Sequence, residues 1–144
     1  MTAKETTEYI KAYGHKNIQA IHPSTLMFTK ENAVSTAGDC IVAVSANKAV
    51  ADLRQSFKDA LKKPNAKLII TIEADGLALQ IHAAGSPELL LTHPKDVVIR
   101  KSGYISDRTL AIHADKSSND LPRELVEKLK DPKQKVNVTL TVHA

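Results

Sequence analysis

The sequence predicts an α+β fold made by tandem duplication of a β-rich unit of about seventy residues with one helix per unit. Three observations predict it. First, Asp39 to Pro64 is written again, without a gap, from Asp107 to Pro132. Asp39, Ala43, Ala46, Lys48, Asp52, Leu53, Leu61 and Pro64 have identical counterparts in Asp107, Ala111, Ala114, Lys116, Asp120, Leu121, Leu129 and Pro132. Second, short apolar or alternating runs bounded by Gly, Pro and Asp recur along the chain, which is strand punctuation. Third, each copy holds one stretch with apolar residues at helical spacing.

In chain order, 7–13 reads as a strand broken by Gly14-His15. Ile18–His22 reads as a short strand stopped by Pro23, which has no N–H to give a ladder. Thr25–Lys30 is a third strand, and Cys40–Ala46 a fourth, nearly all apolar and so expected at the centre of a sheet. Asp52 is placed to cap a helix whose stripe is Leu53, Phe57, Ala60 and Leu61, with Lys62 and Lys63 at its negative end and Pro64 as its stop. Lys67–Glu73 and Leu77–Ala83 flank Asp75-Gly76, a type I′ hairpin signal.

The pattern then restarts. Gly85 matches Gly14, and His93-Pro94 matches His22-Pro23. A loop three residues shorter follows Lys101, then a strand at 110–114, a helix at 121–130 opened by Asp120-Leu121-Pro122, and a closing strand carrying Val136, Val138, Leu140 and Val142. Each unit is β-β-β-β-α-β, or β-α-β(4) when counted from its apolar strand. Two units this small bury little surface alone, so residues 1–144 are expected to form a single domain from repeats at about 7–74 and 77–144, sharing one core across a pseudo-two-fold axis.

Composition bounds the function. A single cysteine excludes an internal disulfide framework and fits a reducing cytosol. The start of the chain lacks the apolar core of a signal peptide, and no apolar run is long enough to span a bilayer, so no membrane partner is expected. A net charge of +4 permits a polyanionic partner. No C-x-x-C pair, H-E-x-x-H, phosphate-binding glycine loop or G-x-S-x-G is present.

The duplication acts as a filter. Polar residues kept in both copies serve the fold, and those present once are candidates for function. His15 stands opposite Ser86, and Cys40 opposite Arg108, so both pass. If the first four strands form a meander, the His15 turn and Asp39-Cys40 lie at one end of it. His15, Asp39 and Cys40 then form a candidate cluster for acid, base or nucleophilic chemistry, or with more ligands for a divalent metal. The competing role for Cys40 is a small buried thiol on the Val42 and Val44 face. His22, Thr25, Asn47, Lys48 and His93 are ligand-binding candidates. Asn47-Lys48 follows an apolar strand and precedes a helix, and His22 and His93 sit in matching turns where a dyad can face them together.

The runs G14-H-K-N-I-Q-A-I-H-P-S-T-L-M-F-T29, G38-D-C-I41 and S45-A-N-K48 together resemble a small archaeal family known as domain of unknown function 371. The resemblance covers nearly the whole chain. It implies an archaeal, cytosolic, α+β protein and no activity, with Gly14, His15, Asn17, His22, Thr25, Gly38, Asp39, Cys40 and Lys48 at the motif positions. The order β-α-β(4), written twice, is also similar to the fold of acetolactate decarboxylase, which holds its metal with histidines.

Three functions are compatible with the sequence. The first is a site for a small polar or anionic ligand, binding or catalytic, with or without a divalent metal. The second is a nucleic-acid-binding module using the basic helix that bears Arg54, Lys58, Lys62 and Lys63. The third is a structural or partner-binding role.

Overall fold

The computed structural model describes residues 4–144. Eight strands and two short helices follow in the order β1 (Glu5–Tyr13), β2 (Thr25–Thr29), β3 (Ile41–Ala43), α1 (Gln55–Leu61), β4 (Lys67–Ala74), β5 (Leu77–Ala84), β6 (Asp96–Arg100), β7 (Thr109–Ala111), α2 (Arg123–Leu129) and β8 (Lys135–His143). The fold is α+β. Neither helix is long and apolar enough to cross a membrane.

The strands form two four-stranded sheets. Sheet A has the order β1-β8-β4-β5 and is antiparallel throughout. Sheet B has the order β3-β2-β6-β7; its central β2–β6 pair is antiparallel, and the outer pairs β2–β3 and β6–β7 are parallel. Both orders read the same in either direction when each element is exchanged for its counterpart in the other half. The sheets meet at their edges through the bridges Tyr13–Val44 and Ala84–Ile112, so the strands close into a ring. At the open side of the β1–β8 pair, Lys4 and Ala144 exchange backbone hydrogen bonds of 2.8 and 3.0 Å.

Alternation builds the core. In β4 and β8 every second residue is buried, and Leu68, Ile70, Ile72, Val136, Val138, Leu140 and Val142 point inward. Leu26, Phe28, Val97 and Ile99 face them from β2 and β6 in the same apolar cluster. Leu53, Phe57 and Leu61, and their counterparts Leu121, Leu125 and Leu129, all join that cluster. Each such side chain withdrawn from water stabilises by about 1.5–3 kcal/mol, which is why short helices hold here and not alone.

Four expectations are corrected. The first four strands are not a meander: β1 belongs to sheet A, and β2 and β3 run parallel, because residues 30–40 carry the chain back to the end where β2 began. Ile18–His22 is not a strand. Ala20 has φ +51°, as does its counterpart Leu91 at +56°, and a left-handed residue breaks the extended ladder while Ile18 and Ala20 stay buried. The apolar run after Cys40 forms only Ile41–Ala43 and lies at the edge of sheet B; its burial comes from the seam with β1, not from a central place. Asp52 and Asp120 do not cap the α-helices. Their carboxylates accept the Ala49 and Ser117 N–H groups, each at 2.9 Å, and close single 3₁₀ turns over Val50–Asp52 and Ser118–Asp120. Leu53 and Leu121 are extended, so α1 and α2 start only at Gln55 and Arg123. The hairpin is as expected: Asp75 and Gly76 both have positive φ, at +51° and +78°, as a type I′ turn needs.

Candidate functional site on the outer face of sheet B

The fold gathers four of the sequence-predicted residues beside the β2–β6 pair. His22 Nδ1 accepts the N–H groups of Ser24 and Thr25 at 3.1 and 3.0 Å, which makes the His-Pro turn that launches β2. With Nδ1 an acceptor, the ring proton lies on Nε2. The His22 N–H donates to the Asp39 carbonyl at 3.2 Å. The Ser118 hydroxyl, from the second half, lies 2.8 Å from the Thr25 carbonyl and 2.7 Å from the Cys40 carbonyl. His22, Thr25, Asp39 and Cys40 are therefore neighbours, held mainly through backbone.

The other predicted residues lie elsewhere. His93 repeats the turn in the second half, accepting from Lys95 and Asp96 and donating its backbone N–H to the Asp107 carbonyl. His15 follows β1, accepts the Asn17 N–H at 3.0 Å and donates its own to the Leu129 carbonyl of α2. No hydrogen bond joins it to Asp39 or Cys40. Asn47 grips the edge of β1, its Oδ1 and N–H both 2.9 Å from the backbone of Lys11. Lys48 reaches Glu8 at 2.7 Å. Among the described residues, no three of His, Cys, Asp and Glu converge to hold a metal ion.

The β2–β6 register brings in residues that the sequence reading did not single out. Thr25 lies opposite Arg100, Met27 opposite Val98 and Thr29 opposite Asp96, all on the face turned away from the core. The buried Asp96 carboxylate accepts from the Thr29 hydroxyl at 2.8 Å and from Arg108 Nη1 at 3.1 Å. Arg100 is half-buried. Its Nε donates to the Thr109 hydroxyl at 3.0 Å, an Nη to Ser106 at 3.3 Å, and its guanidinium stacks 4.9 Å from the Tyr104 ring centroid. No carboxylate among the described residues forms an ion pair with it. Burial, and then the neighbouring Arg108 charge, draws its pKa below the ordinary guanidinium value.

Cys40 completes the cluster. Burial, and then the Asp39 charge, raise its thiol pKa, and Arg108 and Arg100 offset this only in part. It is a thiol at neutral pH, which disfavours the nucleophilic role. The filter by duplication held a signal for these residues: Arg108 replaces Cys40, Arg100 replaces Thr29, and Asp96 replaces Thr25. Arg108 stands out in the sequence only as the residue opposite Cys40, and the β2–β6 pairing that sets Arg100 and Asp96 beside the first half is not a local signal.

The sequence has relatives among known proteins. The family model described as domain of unknown function (DUF371) matches residues 10–143. The chain belongs to this family. In this DUF371 protein the match spans seven strands entire, the last four residues of β1 and the whole Arg100 cluster. An uncharacterised protein of the archaeon Methanocaldococcus jannaschii is 46% identical over 125 residues, covering 87% of this DUF371 chain and 92% of the relative.

Proposed function

We propose that the outer face of sheet B binds a small anionic ligand between the two halves, with Arg100 and Arg108 as its cations and Thr25 and the Cys40 thiol beside them. Arg100 carries the reading. A half-buried cation whose partners are two hydroxyls and one ring has given up water without gaining a counter-charge. An anion there recovers the loss, and a guanidinium fork suits a carboxylate or phosphate in bidentate fashion. Arg108 gives one N–H to Asp96 and keeps 43% of its side chain in water, so further donors are free to turn to a ligand. The protonated thiol supports binding in preference to covalent catalysis.

The test is thermal unfolding with inorganic phosphate or citrate against chloride of matched ionic strength. A ligand at about one hundred times its Kd stabilises by about 2.7 kcal/mol. The expected result is a higher Tm with one of the two anions, lost in Arg100→Gln and weakened in Arg108→Gln. An Arg100→Gln protein that responds as the parent does, or no response beyond that of chloride, would sink the reading.

A further inference from the structure

The outer face of sheet A is open to solvent, whereas Met27, Thr29, Asp96 and Val98 on the outer face of sheet B are covered. The strands of sheet A bury alternate residues inward and leave their outward side chains wholly or partly exposed. The outward rows follow from the register: Tyr13 beside Lys135; Lys11 beside Asn137 and Glu73; Tyr9 beside Thr139, Thr71 and Gln80. Tyr9 is 60% and Tyr13 39% exposed, both on β1 and on the same face. Four residues of strand separate them by about 13 Å, with Lys11 between.

Each tyrosine borders a cavity containing cations. Tyr9 lines one of about 550 Å³ with the cations Lys4, Arg54 and Lys63 and the acids Glu5 and Asp59. Tyr13 lines one of about 250 Å³ with Lys11 and Lys135. Lys4, Lys11, Lys63 and Lys135 form no ion pair with any described residue. Exposed Lys16 and Lys133 stand in the turns next to Tyr13 and Lys135, brought together by the Gly14–Gln134 hydrogen bond. The acids nearby are partly engaged: Glu73 accepts from Asn137, Asp59 from Gln55, and Glu5 lies 3.7 Å from His143. In the second half the tyrosine positions hold Gln80 and Ala84, so the aromatic pair belongs to one half only.

We propose that the β1 side of sheet A binds single-stranded nucleic acid, with Tyr9 and Tyr13 stacking bases and Lys11, Lys135, Lys4 and Lys63 meeting phosphates. Aromatic rings on an exposed sheet offer a π-face to any unpaired base, and a duplex, whose bases are already stacked, cannot use them. Lysines beside the rings supply the charge that such a strand requires. This differs from the basic-helix surface expected from the sequence: the Lys58 ammonium is turned onto the Ala51 carbonyl, and the Arg54 guanidinium onto that of Thr7.

The experiment is fluorescence anisotropy at low and rising salt with labelled oligouridylate and oligothymidylate of about twelve nucleotides, within the reach of one such platform. A duplex of equal length and polyglutamate serve as competitors. The expected result is binding of a single strand that neither competitor displaces. Tyr9→Ala and Tyr13→Ala each weaken it by about tenfold or more, with Tyr→Phe restoring it. The double change Lys11→Gln, Lys135→Gln lowers the slope of log affinity against log salt, and Lys95→Gln, in the turn before β6, leaves it unchanged. Failure to bind either single strand at low salt, equal competition by duplex or polyglutamate, or full affinity in both alanine variants would overturn the proposal. The phosphate and citrate titration reads Arg100 on the other sheet, so the two ideas fail separately.

Discussion

Glu8 is the most deeply buried charged residue among those described. Its side chain is 0% exposed, and its carboxylate takes the Lys48 ammonium at 2.7 Å, the Arg54 N–H at 2.8 Å and its neighbour's N–H at 3.2 Å. Burial alone would raise its pKa; the Lys48 hydrogen bond, the two backbone N–H groups and the Lys48 charge together outweigh it and lower the value. A carboxylate with a depressed pKa stabilises the fold above its unfolded value and loses that contribution as pH falls through the folded one. Glu8→Gln is therefore expected to cost about 2 kcal/mol at neutral pH, less than a fully buried pair because Lys48 is partly in water. The variant and the parent should converge as pH drops below the ordinary glutamate range of about 4.3. Urea melts at pH 7 and pH 3 check this; an equal gap at both would refute the assignment. The sequence carried a hint, since Glu8 has the parity of Ile10 and Ala12. It could not show the partners, because Lys48 lies forty residues on and arrives only when the loop after β3 folds over β1.

At the scale of elements, each helix is docked by the opposite half. Gly14 follows β1 and sits against the carbonyls of Leu129, at the end of α2, and Asp131, and Gly85 follows β5 and sits against the Leu61 carbonyl of α1. A methyl group at either glycine meets backbone oxygen, which cannot step aside as a side chain can. Gly14→Ala and Gly85→Ala are each expected to cost about 2–3 kcal/mol through overpacking. Gly76→Ala, in open space at φ +78°, should cost only the left-handed penalty of about 1 kcal/mol. Denaturant midpoints of the three variants decide it, and a Gly76→Ala cost equal to the others would refute the packing argument. The pairing of these glycines was readable, because both copies keep them. The long hairpin strands were readable too, since period-two alternation and Asp-Gly are local signals. The parallel pairs β2–β3 and β6–β7 were not, for their pairing depends on the return path of polar loops. Nor were the helix starts: Asp52 and Asp120 look like caps until the extended Leu53 and Leu121 separate them from the helices.

At the scale of the molecule, the halves are locked together. The His22 carbonyl accepts the Asn119 N–H, the His93 carbonyl accepts the Ala51 N–H, and Arg123 donates to the Ala20 carbonyl. The apolar cluster draws on both halves without a break. The repeat in sequence anticipated two matching runs of elements. It gave no account of sheets that cross between them, and so the Arg100 cluster, which needs β2 of one half beside β6 of the other, stayed out of sight.

The backbone pair between Lys4 and Ala144 has a consequence for how the chain is threaded. The β8–β1 pair stands to one half as the β4–β5 hairpin stands to the other. Which of the two places carries the covalent link should then matter little to the folded state. A permuted chain, with Ala144 joined to Lys4 through a short glycine linker and opened between Asp75 and Gly76, is expected to fold with the parent's circular dichroism. It should unfold in one transition within about 1–2 kcal/mol of the parent, as openings at exposed turns generally allow. A permuted chain that is unfolded, or that melts in two steps, would show that the two pairs are not interchangeable.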